Sequence, residues 1–531
     1  MKPITCKLRI PRSFLTKALI AISLPLVSRG FSLDTLIRTK ADLPKAEASV
    51  SAGDTLTLAD GNWDDVEIKI SKSGTPDQPI LFRAQTPGLV ILRNSSHVIF
   101  DGKSILMSGL LLQGASTRTG HAVEFTPNSA QCRLTETAID TYNNSASRDD
   151  WVSVAGFQNR VDYCSFTGKK NVGIILRVAR DANKSDQHIV AHNYFGARSA
   201  INGNGAEEIQ IGLKETQFTE SNTTVEYNLF EDCNGELENI SVKSGGNILR
   251  YNTFVRCQSH LTLRHSAGSL VEGNYIDGQG ASGTGGIRVC GKNHTIVNNF
   301  CTGLRGTDEY GGGVNIHGGE STDPVKDPAI HVPAQNCLVA FNTMVDNKEG
   351  IVYGGVGATP PSGLTLANNI LKSGIGPLFD RIASTPFAKV EANILSGSNL
   401  GITKQAGFDI VDPLLDKTLL NGYTYYLPGV GSPALGKAAG NYQIPGWPGP
   451  LPPPNIGENM FGLTKVQPLS RSDVGPSWKG GPTVTGLVGQ SELPGPGDAR
   501  KHAGYPRGSV SERLWANKRF DLSGRFLPPL R

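Results

Sequence analysis

Residues 249–254 read LRYNTF, and variants of this phrase recur through the middle of the chain. It returns as IVAHNYF (189–195), VEYNLF (225–230), VEGNYI (271–276), IVNNF (296–300), VAFNTM (339–344), LANNIL (366–371) and VEANIL (390–395). The shared amides are Asn193, Asn228, Asn252, Asn274, Asn299, Asn342, Asn369 and Asn393, mostly 22–27 residues apart. That spacing is the period of a solenoid. Two longer intervals, Asn193 to Asn228 and Asn299 to Asn342, read as loop insertions. An apolar-polar-apolar strand, an asparagine at a tight corner and a second short strand describe one coil of a parallel β-helix. The corner asparagine tolerates left-handed backbone and can bond its counterpart in the next coil. The expected fold is therefore all-β: a single-stranded right-handed parallel β-helix with an asparagine ladder.

The phrase weakens toward both ends. AGDTLTLADGNW (52–63) and QPILFRAQTPGLVIL (78–92) look like opening coils turned by glycine, and no copy follows residue 400. Cys164 takes the ladder place in VDYCSF, while Cys233 and Cys257 share one offset in consecutive coils. That offset makes them a stacked interior pair, with a bridge between them left open. The composition agrees with a solenoid: 63 Gly and 32 Pro among 531 residues, with long 3.6-residue patterns scarce.

The first 30 residues carry six Lys/Arg, no acid, and an apolar run from Ala18 to Val27, the pattern of an export signal. The run is too short to span a membrane comfortably. Without this segment 45 basic residues face 47 acidic ones, so no global basic excess points to nucleic acid. The expected organisation is a signal over 1–30, a β-helix over 34–480 and an irregular tail over 485–531. The destination is periplasmic or secreted.

Counting nine to eleven residues back from successive ladder positions reaches Lys243 in ISVKS, Arg264 in LTLRH and Arg288 in GIRVC. Apolar neighbours on either side should point inward, turning the cations outward. Adjacent strands are about 4.8 Å apart, so the reading is a column of three cations on an exposed face with no carboxylate beside it. Stacked like charges disfavour a sheet. The functional explanation is a cleft for an anionic polymer. A second cation also favours the neutral form of a lysine, which a lysine base requires.

Before that column stands GELENISVKSGG (235–246). A bend near Asn239 would put Glu236 and Glu238 together at the corner beside the cations. Paired carboxylates with an amide oxygen suit Ca²⁺, and Asn204 of INGNGAEEIQIG can supply the amide. Solvated acids are the commoner meaning of such a pair. His317 is as readily a surface histidine as a cleft residue, and Tyr227 and Tyr251 read as packing residues.

Here the chain resembles polysaccharide lyase family 6, the family of alginate lyases and chondroitinase B. The similarity is carried by AGDTLTLADGNW, NGAEEIQIG, ELENISVKS and LTLRHS, and runs from about residue 45 to about 480, with GSPALG (431–436) and DVG (473–475) near its end. The family's usual NGGET is NGAEE here. The resemblance implies that Lys243 is the base and Arg264 the acid of a β-elimination. It implies Ca²⁺ at Asn204, Glu236 and Glu238, and His265 matches the histidine after the arginine. His265 and Arg288 would bind substrate. The implied substrate is an anionic polysaccharide, alginate first and chondroitin or dermatan sulfate second. A non-catalytic polysaccharide-binding β-helix is the reading from another class. A β-helix hydrolase would need clustered outward aspartates, which the coils of Lys243 and Arg264 do not offer.

Overall fold

Each coil contributes three short strands, because β-branched and aromatic residues alternate with polar ones over only three to five positions before a turn intervenes. A computed structural model of the chain describes residues 32–484 apart from 145–147, 182–183, 202, 308–310, 322–329, 356, 382, 443, 445–454 and 458–465, together with 519–520 and 526–527. The proposed signal, most of IPGWPGPLPPPN (444–455) and most of the tail from 485 lie outside the described residues.

Strands equivalent in successive coils pair in parallel to build three long sheets of 14, 12 and 14 strands. The first runs from Asp34–Ile37 to Lys389–Glu391, the second from Glu67–Ile70 to Phe379–Arg381, and the third from Gly61–Asp64 to Phe408–Ile410. This is a parallel β-helix. Its interior is one continuous apolar column, from Ile37 and Leu43 at one end to Phe379 and Phe408 at the other. Phe166, Phe195, Phe230 and Phe254 stack along it with centroids 5.2, 4.6 and 4.5 Å apart. The short helix Leu43–Ser49 inserts Leu43 and Ala46 into the N-terminal end of that column.

The expected ladder is present and buried. Asn252 Oδ1 accepts from the backbone N–H of Asn228 at 3.1 Å and from its Nδ2 at 3.0 Å. Asn252 in turn donates to Asn274 Oδ1 and, through Nδ2, to the carbonyl of Val225. The same pattern starts at Cys164, whose N–H bonds Asn193 Oδ1, and ends at Asn393. One expectation is corrected. The left-handed residue is not the asparagine but the one before it: Tyr163, His192, Tyr227, Tyr251, Asn298, Phe341, Asn368 and Ala392 have φ between +47° and +58°. The amide must point inward to reach the next coil, so the reversal of the chain falls on its neighbour. Rings at that place stack outside the column, Tyr163 on His192 at 4.8 Å, His192 on Tyr227 at 5.0 Å and Tyr227 on Tyr251 at 5.2 Å. The two tyrosines are packing residues.

Cys132, Cys164, Cys233, Cys257, Cys290, Cys301 and Cys337 are free and buried, so Cys233 and Cys257 form no bridge. Beyond the last coil the chain turns back along the outside. The hairpin Leu415–Leu420 with Tyr423–Pro428 lays Tyr425 against Phe300 at 4.5 Å. A later strap runs toward the N-terminal end: Leu469 N–H bonds Thr253 Oγ1, Gly475 N–H bonds the His192 carbonyl, and Trp478 Nε1 bonds the Glu136 carbonyl.

Asn252→Ala removes an acceptor from two buried donors and strands two more partners. Each orphaned buried group costs about 1–3 kcal/mol, so the unfolding midpoint should fall far more than for Leu419→Ala on the exposed hairpin. Equal shifts in a thermal melt would reject a structural role for the ladder.

Candidate functional site

The second sheet carries the candidate residues on consecutive strands. Ile209–Ile211, Glu238–Val242, His260–Leu263, Ile287–Val289 and Val314–Ile316 are neighbours in it. Ile240, Val242, Leu261, Leu263, Ile287 and Val289 all point into the core, as their alternation requires. Val242 pairs with Leu263, so Lys243 and Arg264, the next residues of each strand, are register mates. Arg288 is not. It pairs with Thr262 and, through it, with Ser241, two places earlier in the strand. The place level with Arg264 is held by Cys290, whose N–H bonds the Leu263 carbonyl. Counting back nine to eleven residues misses this because the window admits Arg288, eleven before Asn299, as readily as Cys290, nine before it, whereas register is set by strand pairing.

The cations are also neither exposed nor unaccompanied. The side chains of Lys243, Arg264 and Arg288 are 11%, 22% and 9% exposed. Glu238 serves both arginines: Arg264 Nη1 is 3.5 Å from Oε2 and Arg288 Nη1 is 3.6 Å from Oε1. Glu207 serves the lysine, with Nζ 3.7 Å from Oε1. Pairing an acid with the column resolves the like-charge repulsion that a bare column would suffer. The expected bend exists as an irregularity between Glu238 and Ile240, where Asn239 is extra to the register. It lets Glu238 and Ser241 turn the same way, and Ser241 Oγ donates to Glu238 Oε2.

Glu207, Glu236 and Glu238 bring one carboxylate oxygen each within 4.8 Å of one another. Glu207 was not among the sequence candidates, yet it stands where NGGET and NGAEE both have glutamate. Its Oε1 accepts from Gln210 Nε2 at 2.8 Å, while its buried Oε2 has no hydrogen-bond partner. Glu236 Oε2 accepts the N–H of Gly205 at 2.9 Å. Gly205 has φ +100°, a backbone conformation that L side chains rarely adopt, so glycine is favoured at the residue that presents this N–H. Three convergent carboxylates and an orphaned oxygen fit a hard, oxygen-seeking cation. Asn204 lines the same cleft, exposed at its rim.

The cleft has a volume of about 500 Å³ and is walled by Asn204, Glu236, Glu238, Arg264, Arg288, Glu320 and His331. Glu320 and His331 belong to the long insertion before Asn342, which carried no periodic signal. His331 Nδ1 lies 3.1 Å from Glu320 Oε1, and its ring stacks on His265 at 5.6 Å. His317 is buried, not a surface residue, and its Nε2 meets Arg288 Nη2 at 3.1 Å.

A family model described as Chondroitinase B matches residues 37–374. The chain belongs to this family, polysaccharide lyase family 6. Among solved structures it is similar to the family 6 alginate lyase AlyGC, with 29% identity and a TM-score of 0.72 over 85% of this chain. It spans only 59% of AlyGC's length. It is also similar to a mannuronic acid specific family 6 lyase from human gut microbiota (26% identity, TM-score 0.65, 72% of this chain and 92% of that one). A third is the family 6 polysaccharide lyase Pedsa3628 from Pseudopedobacter saltans (28%, 0.60, 69% and 93%). No curated protein sequence matches the chain.

Within this family 6 cleft the charges are unequal. Burial and the neighbouring Glu207 hold the Glu236 carboxyl up to about 7. Burial pushes Glu238 the same way, but Arg264 and Arg288 outweigh it and keep it below the usual range. Burial, then Arg264, drives His265 down to about 3, and burial, then Arg288, does the same to His317. Both rings are neutral at ordinary pH.

In metal-free protein, folded Glu236 keeps its proton up to about pH 7 while the unfolded chain releases it near the ordinary value of 4.5. The folded state binds more protons in that window, so this group's contribution to stability falls as pH rises through it. Glu236→Gln removes the fall. The melting-temperature advantage of the variant over wild type should grow from about pH 5 to about pH 8 in chelator; a constant difference would contradict the assignment.

Proposed function

We propose that this chain is a Ca²⁺-dependent polysaccharide lyase that cleaves a uronate-containing anionic polymer, alginate, by β-elimination. The observation that carries this reading is that Lys243 and Arg264, register mates on one sheet, meet the Glu207–Glu236–Glu238 cluster through Glu207 and Glu238, beside a cleft walled by Glu236, Glu238 and Arg264. Alginate is favoured over sulfated substrates by the similarity to AlyGC and to the mannuronic acid specific enzyme.

The reaction must break the C5–H bond of a uronate, form a C4–C5 double bond and release the sugar oxygen on C4. Glu207, Glu236 and Glu238, with the Asn204 amide as a further oxygen, would hold the cation, whose chemistry is to neutralise the uronate carboxylate and so acidify C5–H. Lys243 accepts the C5 proton on Nζ. Glu207, beside Nζ, holds the ammonium group so formed until its proton passes to water and the amine is restored for the next turnover. Arg264 stabilises the departing oxygen as negative charge builds on it, and the proton that the oxygen needs comes from the guanidinium or from water. Arg288 has its fork engaged by Glu238 and His317; it anchors Glu238 and faces the substrate carboxylate with what remains. His265, neutral beside Arg264, offers a hydrogen bond to a sugar hydroxyl. The hydrolase reading gains nothing, since Lys243, not a second free acid, stands opposite Arg264. The basic-then-apolar N-terminus supports export to the periplasm or medium. Among the described residues no helix is long and apolar enough to cross a membrane.

The test follows the ultraviolet absorbance of the unsaturated product on alginate, polymannuronate, polyguluronate and dermatan sulfate, with and without chelator. Lys243→Ala should lower kcat by roughly 10²–10⁴ while leaving the melting temperature near that of wild type. Chelation should abolish product formation, and added Ca²⁺ should restore it. Binding of polymer without any absorbance gain would instead make this a non-catalytic β-helix. Turnover confined to dermatan sulfate would move the substrate from alginate to sulfated glycosaminoglycan.

A further inference from the structure

We infer that Arg198 is a positioning residue for the carboxylate cluster: its buried guanidinium fixes the backbone that carries Glu207 and thereby sets the affinity of the cleft for a divalent cation. The inference rests on the metal-binding reading of Glu207, Glu236 and Glu238.

Arg198 is 2% exposed, yet its head meets carbonyl oxygens and no carboxylate at ion-pair distance among the described residues. Nη1 donates to the carbonyls of Ala206 at 2.8 Å and Glu207 at 3.2 Å. Nη2 donates to those of Asn171 at 2.9 Å and Gly173 at 2.7 Å. The two pairs of carbonyls come from successive coils, so one planar fork ties the Glu207 segment to the coil beneath it. A lysine, with a single ammonium centre, cannot span both pairs.

An apolar side chain could fill the same space without the cost of burying a cation away from water. What the apolar filler could not do is hold two consecutive carbonyls, and it is at Glu207 that holding matters. The segment is already demanding: Gly205 is left-handed, and Glu207 must offer Oε1 to Lys243 and Gln210 while Oε2 stays without a partner. Gly235 closes the arrangement from the other side. A Cβ there would meet the Ala206 carbonyl oxygen at 2.4 Å and Arg198 Cδ at 3.0 Å. The close approach of guanidinium, carbonyl and glycine is a support built behind one carboxylate of the cluster. Groups that orient metal ligands from behind typically change affinity by roughly 10–100-fold when lost.

The experiment is a calorimetric titration of Ca²⁺ into the chelator-stripped full chain, for wild type, Arg198→Lys, Arg198→Met and Gly235→Ala, alongside melting curves with and without Ca²⁺. All three variants should bind Ca²⁺ more weakly, by roughly tenfold or more, and the rise in melting temperature on adding Ca²⁺ should shrink. If Arg198→Met does not fold, Arg198→Lys and Gly235→Ala carry the test. A lower melting temperature with an unchanged Kd would mean that Arg198 only fills space, and would overturn the inference. So would a tighter Kd in Arg198→Met, which would make the residue a repelling charge and nothing more. Absence of Ca²⁺ binding by wild type would overturn the metal reading itself, and the role of Arg198 with it.

Discussion

A line of buried amides governs this molecule. From Asn228 onward each ladder asparagine accepts two hydrogen bonds from the previous coil, and Asn193 accepts one from Cys164, so a coil cannot slide against its neighbour without orphaning several groups at once. A slip of one residue would also turn every inward side chain outward. The ladder exacts a left-handed residue before each asparagine, a conformation costing an L-residue about 1–2 kcal/mol. That cost recurs along the column at tyrosine, histidine, phenylalanine and alanine alike. The rings at these positions recover part of it by stacking on one another outside the column. Because the coils are locked, Val242 must face Leu263, and the pairing of Lys243 with Arg264 follows from bonds formed far from either side chain.

Electrostatic balance shapes the cleft in a second way. Glu207 and Glu238 each sit within ion-pair distance of the cations, while Glu236 makes no ion pair among the described residues and keeps its proton to about pH 7. The two halves of the cluster therefore differ: one carboxylate is ready as an anion, and another ionises more readily when positive charge arrives. On the proposed metal-binding reading such a site would be quiet when empty and responsive when a cation approaches, which suits a cleft that is proposed to receive a polyanion as well.

The sequence made the solenoid legible because its marker is local: one asparagine and its flanking apolar residues, repeated at a near-constant period. Lys243, Arg264, Glu236 and Glu238 were legible for the same reason, since each lies within a few residues of a strand whose facing is plain. What could not be read was everything decided between coils. Arg288 was misplaced by two positions because distance from the ladder asparagine does not by itself fix register between strands. Glu207 was overlooked because its partners Lys243 and Gln210 lie on two different coils. The bend at Asn239 was expected and set Glu238 beside the cations, but its pairing with Arg264 and Arg288 is made across coils and was missed. His331 comes from an insertion with no pattern at all, and Arg198 declares its role only through carbonyls, which no side-chain motif records.

The returning strap has a consequence for how the molecule comes apart. A bare solenoid frays from its ends, because each coil touches only the coils beside it. Here Leu469 is bonded to Thr253, Gly475 to His192, and Trp478 to Glu136. One strand of chain thus spans the outside of the coils that precede and include the cleft. Peeling any one of them requires releasing the strap from the others, so nearest-neighbour cooperativity becomes cooperativity over the whole strapped stretch. Proteolysis or a pulling force should then meet a single block there.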